Sequence, residues 1–152
     1  KKLEKILVDV FQVLKMYRRN ILLYIKLSRK NTFVTQSFVQ KILDSFKLNH
    51  RFISNNLLCV SKIADLFLVF GHSGTGLDAL SNKKPSIELW NKNLNKSPIN
   101  KYVFQAKNRQ IFAKTIKKFM SGSLDDKISL KFKKFQKDYL SQIKTNKILS
   151  FF

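Results

Sequence analysis

Apolar residues at positions 3, 6, 7, 10, 14 and 17 (Leu3, Ile6, Leu7, Val10, Leu14, Tyr17) recur at helical spacing, so residues 2 to 18 read as an amphipathic helix packed on a sheet. Ile21 to Leu27 follows as a strand. Phe38, Ile42 and Phe46, with Val39 and Leu43 beside them, form a second helical stripe after a cap at Thr32 or Thr35. Arg51 to Asn55 reads as a short strand and Leu57 to Ile63 as a short helix. The run Leu66 to Phe70 is apolar throughout, as in a parallel strand covered on both faces, and it stops at Gly71. A helix from about 75 to 83 and a strand from Ser86 to Trp90 come next, with Pro85 at the strand entry, where no ladder N–H is required.

Strands alternating with helices imply crossover connections and a parallel sheet, which makes the fold class α/β and Rossmann-like. The polar stretch Asn91 to Asn100, containing Pro98, is the longest loop and falls on the carboxyl edge of that sheet, where such folds bind ligands. Tyr102 to Ala106 is the last strand, and a helix runs from Asn108 to Met120. Ser121-Gly122-Ser123 ends that helix, dividing a domain over 1–122 from a tail over 123–152. In the tail Ile128, Phe132, Phe135, Tyr139 and Ile143 make one apolar stripe amid Lys131, Lys133, Lys134 and Lys137. A stripe so apolar requires a partner: either the protein surface of a further domain or a membrane.

Between the strand at 66–70 and the helix at 75, the sequence Gly-His-Ser-Gly-Thr-Gly has the character of an anion site. Glycines permit a sharp turn and close approach to a ligand, and the first unpaired N–H groups of a helix favour a phosphate. The glycine spacing of Gly71 and Gly76 is that of an ATP-binding loop, but Leu77-Asp78 stands where the Lys-Ser/Thr of that motif is required. Gly74-x-Gly76-x-x-Ala79 also fits a dinucleotide fingerprint, yet Glu88 comes only 12 residues after Gly76, short of the usual ribose acid about 20 residues on.

Residues 63–89 resemble the C-terminal, donor-binding domain of GT-B glycosyltransferases, closest to those of capsule and surface-polysaccharide biosynthesis. Asp65, Ser73, Gly74, Asp78, Ala79, Lys84 and Pro85 hold the family's relative spacing. Leu22 to Lys26 is similar to the family's Ile-Lys strand, and Tyr102 to Ala106 with its helix is similar to the last strand and helix. The likeness spans most of residues 15 to 120. Where a His-Pro pair commonly follows Ile-Lys, this chain has Leu27-Ser28-Arg29.

The resemblance implies that Lys26, His72, Ser73, Gly74, Thr75 and Asp78 bind a nucleotide-sugar, with Asp78 accepting hydrogen bonds from the ribose hydroxyls. His72 is then the candidate for a general acid at the leaving phosphate. As bare residue types these positions also describe a helix start, because Thr75-Gly-Leu-Asp78 has the form of a capping box. A GT-B enzyme has two domains of similar size. The 152 residues supply one, so the expectation is a fragment or split subunit whose acceptor-binding half, and with it the usual catalytic base, lies elsewhere. The partners implied are a nucleotide-sugar donor, a glycan acceptor and that missing N-terminal domain. No cofactor is expected.

The net charge of +21 brings in a rival class, a non-enzymatic basic module for RNA or an anionic membrane surface. Only five of the 30 basic residues are Arg, and the lysines are spread along the chain like a solvated surface. The aromatics fall at core spacings and no RNA-binding signature is present, so nucleic acid is not the expected partner. The lone Cys59 has neither a disulfide nor a metal-motif partner and reads as core filler; His50 has no ligand-spaced neighbours. No apolar run reaches the roughly 18 residues of a membrane span. The expected location is the cytoplasm, with peripheral contact to the inner face of the plasma membrane as the extension suggested by the tail.

Overall fold

A computed structural model describes residues 2–27, 35–54, 60–70, 75–90 and 98–140. The fold is α/β with parallel strands. The chain divides into two compact units, residues 1–64 and 65–152, each considered by itself below.

In the first unit, α1 (Lys2–Leu14) continues into a 3-10 turn over Lys15–Tyr17. Its buried residues are Leu7, Val10, Phe11, Val13 and Leu14. Phe11 and Val13 thus widen the expected stripe into the broad apolar face that a core-facing helix needs. Strand β1 (Leu23–Ile25) pairs in parallel with β2 (His50–Phe52), in the register Leu23 to His50 and Ile25 to Phe52. Helix α2 (Gln36–Phe46) is the crossover between them. Its cap is Thr35, whose hydroxyl accepts from the Phe38 amide at 3.2 Å, while Thr32 lies outside the described residues. Lys47 closes the helix in the left-handed region with φ 53°, and Leu48 then donates back to the Leu43 carbonyl. Phe46 meets Phe11 edge-on at 6.5 Å between ring centres, tying α2 to α1. Of the short helix expected over 57–63, residues 60 and 61 are helical; Cys59 lies outside the described residues.

The second unit holds a three-stranded parallel sheet in the order β3 (Phe67–Phe70), β4 (Ser86–Leu89), β5 (Phe104–Ala106). All four residues of the central strand β4 are buried, as expected where helices cover both faces. The same expectation for the run ending at Phe70 is corrected: among the described residues β3 is an edge strand, with Leu68 half-buried and Phe70 39% exposed. Among the described residues the strands fall into two sheets, not the continuous one expected, the two-stranded sheet belonging to the first unit and the three-stranded one to the second.

Helix α3 (Thr75–Ser81) connects β3 to β4, and a 3-10 turn, Pro98–Lys101, precedes β5. Helix α4 (Arg109–Met120) begins at Asn108, whose Oδ1 accepts from the Ile111 amide at 2.9 Å. Gly122, at φ 72°, supplies the left-handed residue that ends it, as the Ser-Gly-Ser punctuation predicts. Helix α5 (Asp125–Phe135) follows, with Asp125 and Asp126 in the first turn where the helix dipole favours negative charge, and it runs into a π-helical turn over Gln136–Leu140.

The tail stripe is not left for an outside partner. Phe135 is 4% exposed and joins Leu80, Tyr102 and Val103 in one core cluster, with Phe132 and Tyr139 packed against it. The expectation of an exposed, sticky helix is therefore overturned for residues 125–139; Ile143 lies outside the described residues. No helix among the described residues is long and apolar enough to cross a membrane.

Candidate functional site

The chain leaves β3 at Phe70, passes through residues 71–74, and enters α3 at Thr75 before returning to β4. His72, Ser73 and Gly74 lie outside the described residues. Thr75 is half-buried and is the first residue of the helix, and Asp78 is exposed in the same first turn. A capping box would need Thr75 as the residue before the helix, with its amide bonded by the carboxylate three positions on. Thr75 is instead already helical, and among the described residues the Asp78 carboxylate accepts no hydrogen bond; only its backbone carbonyl is engaged, by Asn82. The carboxylate stands exposed in the first turn of α3.

Gly76 does not serve the turn either. It is buried within α3 at an ordinary helical angle, and a Cβ built there would sit 3.9 Å from Ile99 and Val103 and 4.0 Å from the Ser86 hydroxyl. These are ordinary contact distances, so packing does not require a glycine here, and Gly76 is a residue of the helix where the sequence suggested a turn approaching a ligand.

Lys26 belongs to the first unit. It follows the last residue of β1 and is exposed. The same unit has a shallow concavity of about 570 Å³ lined by Arg19, Asn20, Ile21, Leu22, Asn49 and His50. It lies at the amino ends of β1 and β2, opposite the edge at which parallel sheets bind ligands, and none of the predicted site residues lines it. His50 is tied into local structure, its ring bridging the Leu48 carbonyl at 2.8 Å and the Gln40 amide oxygen at 3.0 Å.

Three polar features of the second unit were not evident in the sequence. Glu88 is 7% exposed in the central strand, two residues along from the buried Ser86 and so on the same face. The Ser86 hydroxyl and both polar atoms of the Asn100 side chain are buried with no hydrogen-bond partner among the described residues, although such groups are ordinarily paired. Finally, Trp90, one residue past β4, has φ 45°, an outlier for a bulky side chain; its amide donates to Ala106 at 2.8 Å and its ring packs on Phe112 at 5.9 Å. The alternation of Ser86 and Glu88 with Ile87 and Leu89 was the available signal for a polar face on this strand; nothing local announces Trp90 or Asn100.

The strongest electrostatic arrangement lies where the tail docks. Asp138 accepts from the Tyr102 hydroxyl at 2.7 Å and from Lys101 Nζ at 2.9 Å, and Lys101 also lies over the Tyr102 ring. The Tyr102 hydrogen bond, then Lys101, holds the Asp138 carboxyl below its ordinary range. Burial pushes the Tyr102 phenol up, and the Tyr102 hydroxyl and Asp138 raise Lys101. Lys131 donates to the carbonyls of Lys101 and Val103 at 3.1 and 3.0 Å, its ammonium lowered by burial and by the neighbouring charge of Lys134. With Tyr102 only 1% exposed, this cluster fastens the end of the tail helix to the segment before β5.

Comparison with known protein families, with curated proteins and with solved structures finds no match. Among the described residues no group of three or more His, Cys, Asp or Glu is placed to hold a metal ion.

Proposed function

We propose that the chain contains the donor-binding half of a glycosyltransferase of surface-polysaccharide assembly, of GT-B type, and that the unit β3, turn, α3, β4 binds the diphosphate and ribose of a nucleotide-sugar. The observation that carries this reading is the exposed Asp78 carboxylate in the first turn of α3, which accepts no hydrogen bond among the described residues, on the helix that follows the carboxyl end of a parallel strand. Ligands bind at that edge of open α/β sheets, and a carboxylate accepting two vicinal hydroxyls is suited to a ribose. The motif resemblance over residues 63–89 supplies the sugar-transfer chemistry, in which the domain stabilises the departing diphosphate with amides already in place. Glycan acceptor and catalytic base would come from the other half of such an enzyme.

A thermal-shift titration with UDP, CDP, CMP and GDP tests it. A ligand at a hundred times its dissociation constant adds about 2.7 kcal/mol to apparent stability. Asp78→Asn should weaken nucleotide binding about tenfold while leaving the melting temperature of the free protein within about 1 °C, since it removes a charged acceptor that takes part in no hydrogen bond among the described residues. No response to any nucleotide at millimolar concentration refutes the reading.

A further inference from the structure

Docking of the aromatic stripe turns the opposite side of α5 outward. Lys127, Leu130 and Lys134 are exposed and recur at steps of three and four, with Lys133 exposed alongside. Leu130 is 65% exposed, in the middle of the lysines. One carboxylate, Asp126, shares this face, at its amino end. We propose that the outer face of α5 is a docking surface for an anionic lipid bilayer, with the lysine ammonium groups at the headgroups and Leu130 entering the acyl boundary.

Charge complementarity names the occupant. Lysines on flexible stems place point charges at a surface of diffuse negative potential, each contributing about fivefold to partitioning. A protruding leucine gains nothing from a phosphodiester backbone and gains by leaving water at a bilayer. A nucleic-acid surface would offer aromatic faces for stacking and guanidinium forks, whereas here Phe132, Phe135 and Tyr139 are turned inward and α5 carries no arginine. The face that meets the lipid is thus the reverse of the one the amphipathic pattern suggested. The inference does not depend on the nucleotide-binding reading.

The test is co-sedimentation of the full chain with vesicles of phosphatidylcholine alone and with about 30% phosphatidylglycerol added. Binding is expected only with the anionic lipid, and it should weaken sharply between about 0.1 M and about 1 M salt as the screening length falls from about 10 to about 3 Å. Joint replacement K127Q, K133Q and K134Q should cost about a hundredfold in partitioning. The matched replacement R109Q, K114Q and K117Q removes three exposed charges from α4 and should cost less than about fivefold. In Leu130→Trp, the emission added to that of Trp90 should move to shorter wavelength on anionic vesicles. Equal losses in the two triple variants would assign the attraction to the overall charge and overturn the proposal. An unmoved emission, or tighter, α5-dependent capture of single-stranded RNA, would overturn it as well.

Discussion

Replacing Phe135 by alanine tests whether α5 is an integral part of the second unit. The ring is 4% exposed, lies edge-on to Tyr102 at 5.4 Å and is stacked on Tyr139 at 5.3 Å, with Leu80 and Val103 in the same cluster. Truncating a buried phenylalanine costs about 3 to 5 kcal/mol, through lost transfer energy and the cavity left behind, and the two ring contacts fall within that sum. With a denaturant slope of about 2 kcal/mol per molar urea, the midpoint should drop by about 2 M. Trp90, at the end of β4 and packed on Phe112, reports on the sheet, while far-ultraviolet circular dichroism reports on helix content. If α5 and the sheet unfold together, both signals move by the same amount; if α5 opens as a local unit, the helical signal falls first. Leu130→Ala, on the exposed side of the same helix, should stay within about 0.5 kcal/mol of the parent. A Phe135→Ala midpoint within about 0.3 M of the parent by both signals would refute the docked arrangement.

The polar side of the same contact predicts a pH profile. Asp138 is held below its ordinary range, so its contribution is present above the unfolded carboxyl value near 4 and is lost as pH falls through the lower folded value; Asp138→Asn should flatten this acid limb in urea midpoints measured from pH 2 to 6. Tyr102 and Lys101 are both raised, so the folded state retains protons that the unfolded chain releases, and stability should fall as pH rises beyond about 10. Gly76→Ala should raise stability by about 0.5 kcal/mol, because the added methyl meets its neighbours at ordinary contact distance and the helix gains a better former; a loss of more than about 1 kcal/mol in thermal or urea unfolding would show that the glycine itself is required. Asn108→Ala should cost about 1 kcal/mol by removing the acceptor for the Ile111 amide, read as a lower urea midpoint, whereas Asn108→Ser should recover most of it.

The legible parts of this fold were those with a local cause. Helices α1 and α2 follow from 3.6-residue periodicity, and the start of α2 follows from Thr35, whose side chain bonds the amide three positions on. Strands β3 and β4 follow from short apolar runs bounded by turn residues. What the sequence concealed depends on residues far apart in the chain. Asp138 meets Lys101 and Tyr102 across 37 and 36 positions, a pairing for which no window of sequence carries a signal. The lysines around the tail stripe made it resemble a surface-seeking helix, because an amphipathic pattern states that one face will be covered and leaves open what covers it. Gly76 misled for a related reason: glycine suggests a turn, yet here it sits inside a helix with room for a methyl against Ile99, Val103 and Ser86.

These corrections narrow how the candidate site can work. Gly76 lies inside α3, so it does not supply the turn of a phosphate-binding loop. With Thr75 already helical, the Asp78 carboxylate is released from the reciprocal bond that a capping box would impose, and among the described residues it accepts no hydrogen bond. The same carboxylate is unfavourable to an anion: in the first turn of α3 it would repel a diphosphate bound at the helix amides unless it is directed at hydroxyl donors. The sign of a charge change at this position therefore separates the two parts of the proposed ligand. If Asp78→Asn weakens a nucleoside diphosphate, the ribose bonds outweigh the repulsion; if it tightens free pyrophosphate while weakening the nucleotide, both parts of the ligand are placed by one substitution. If it tightens the nucleotide and the pyrophosphate alike, Asp78 is not a ribose reader, and the likeness to the donor-binding motif fails at the residue that carries it furthest.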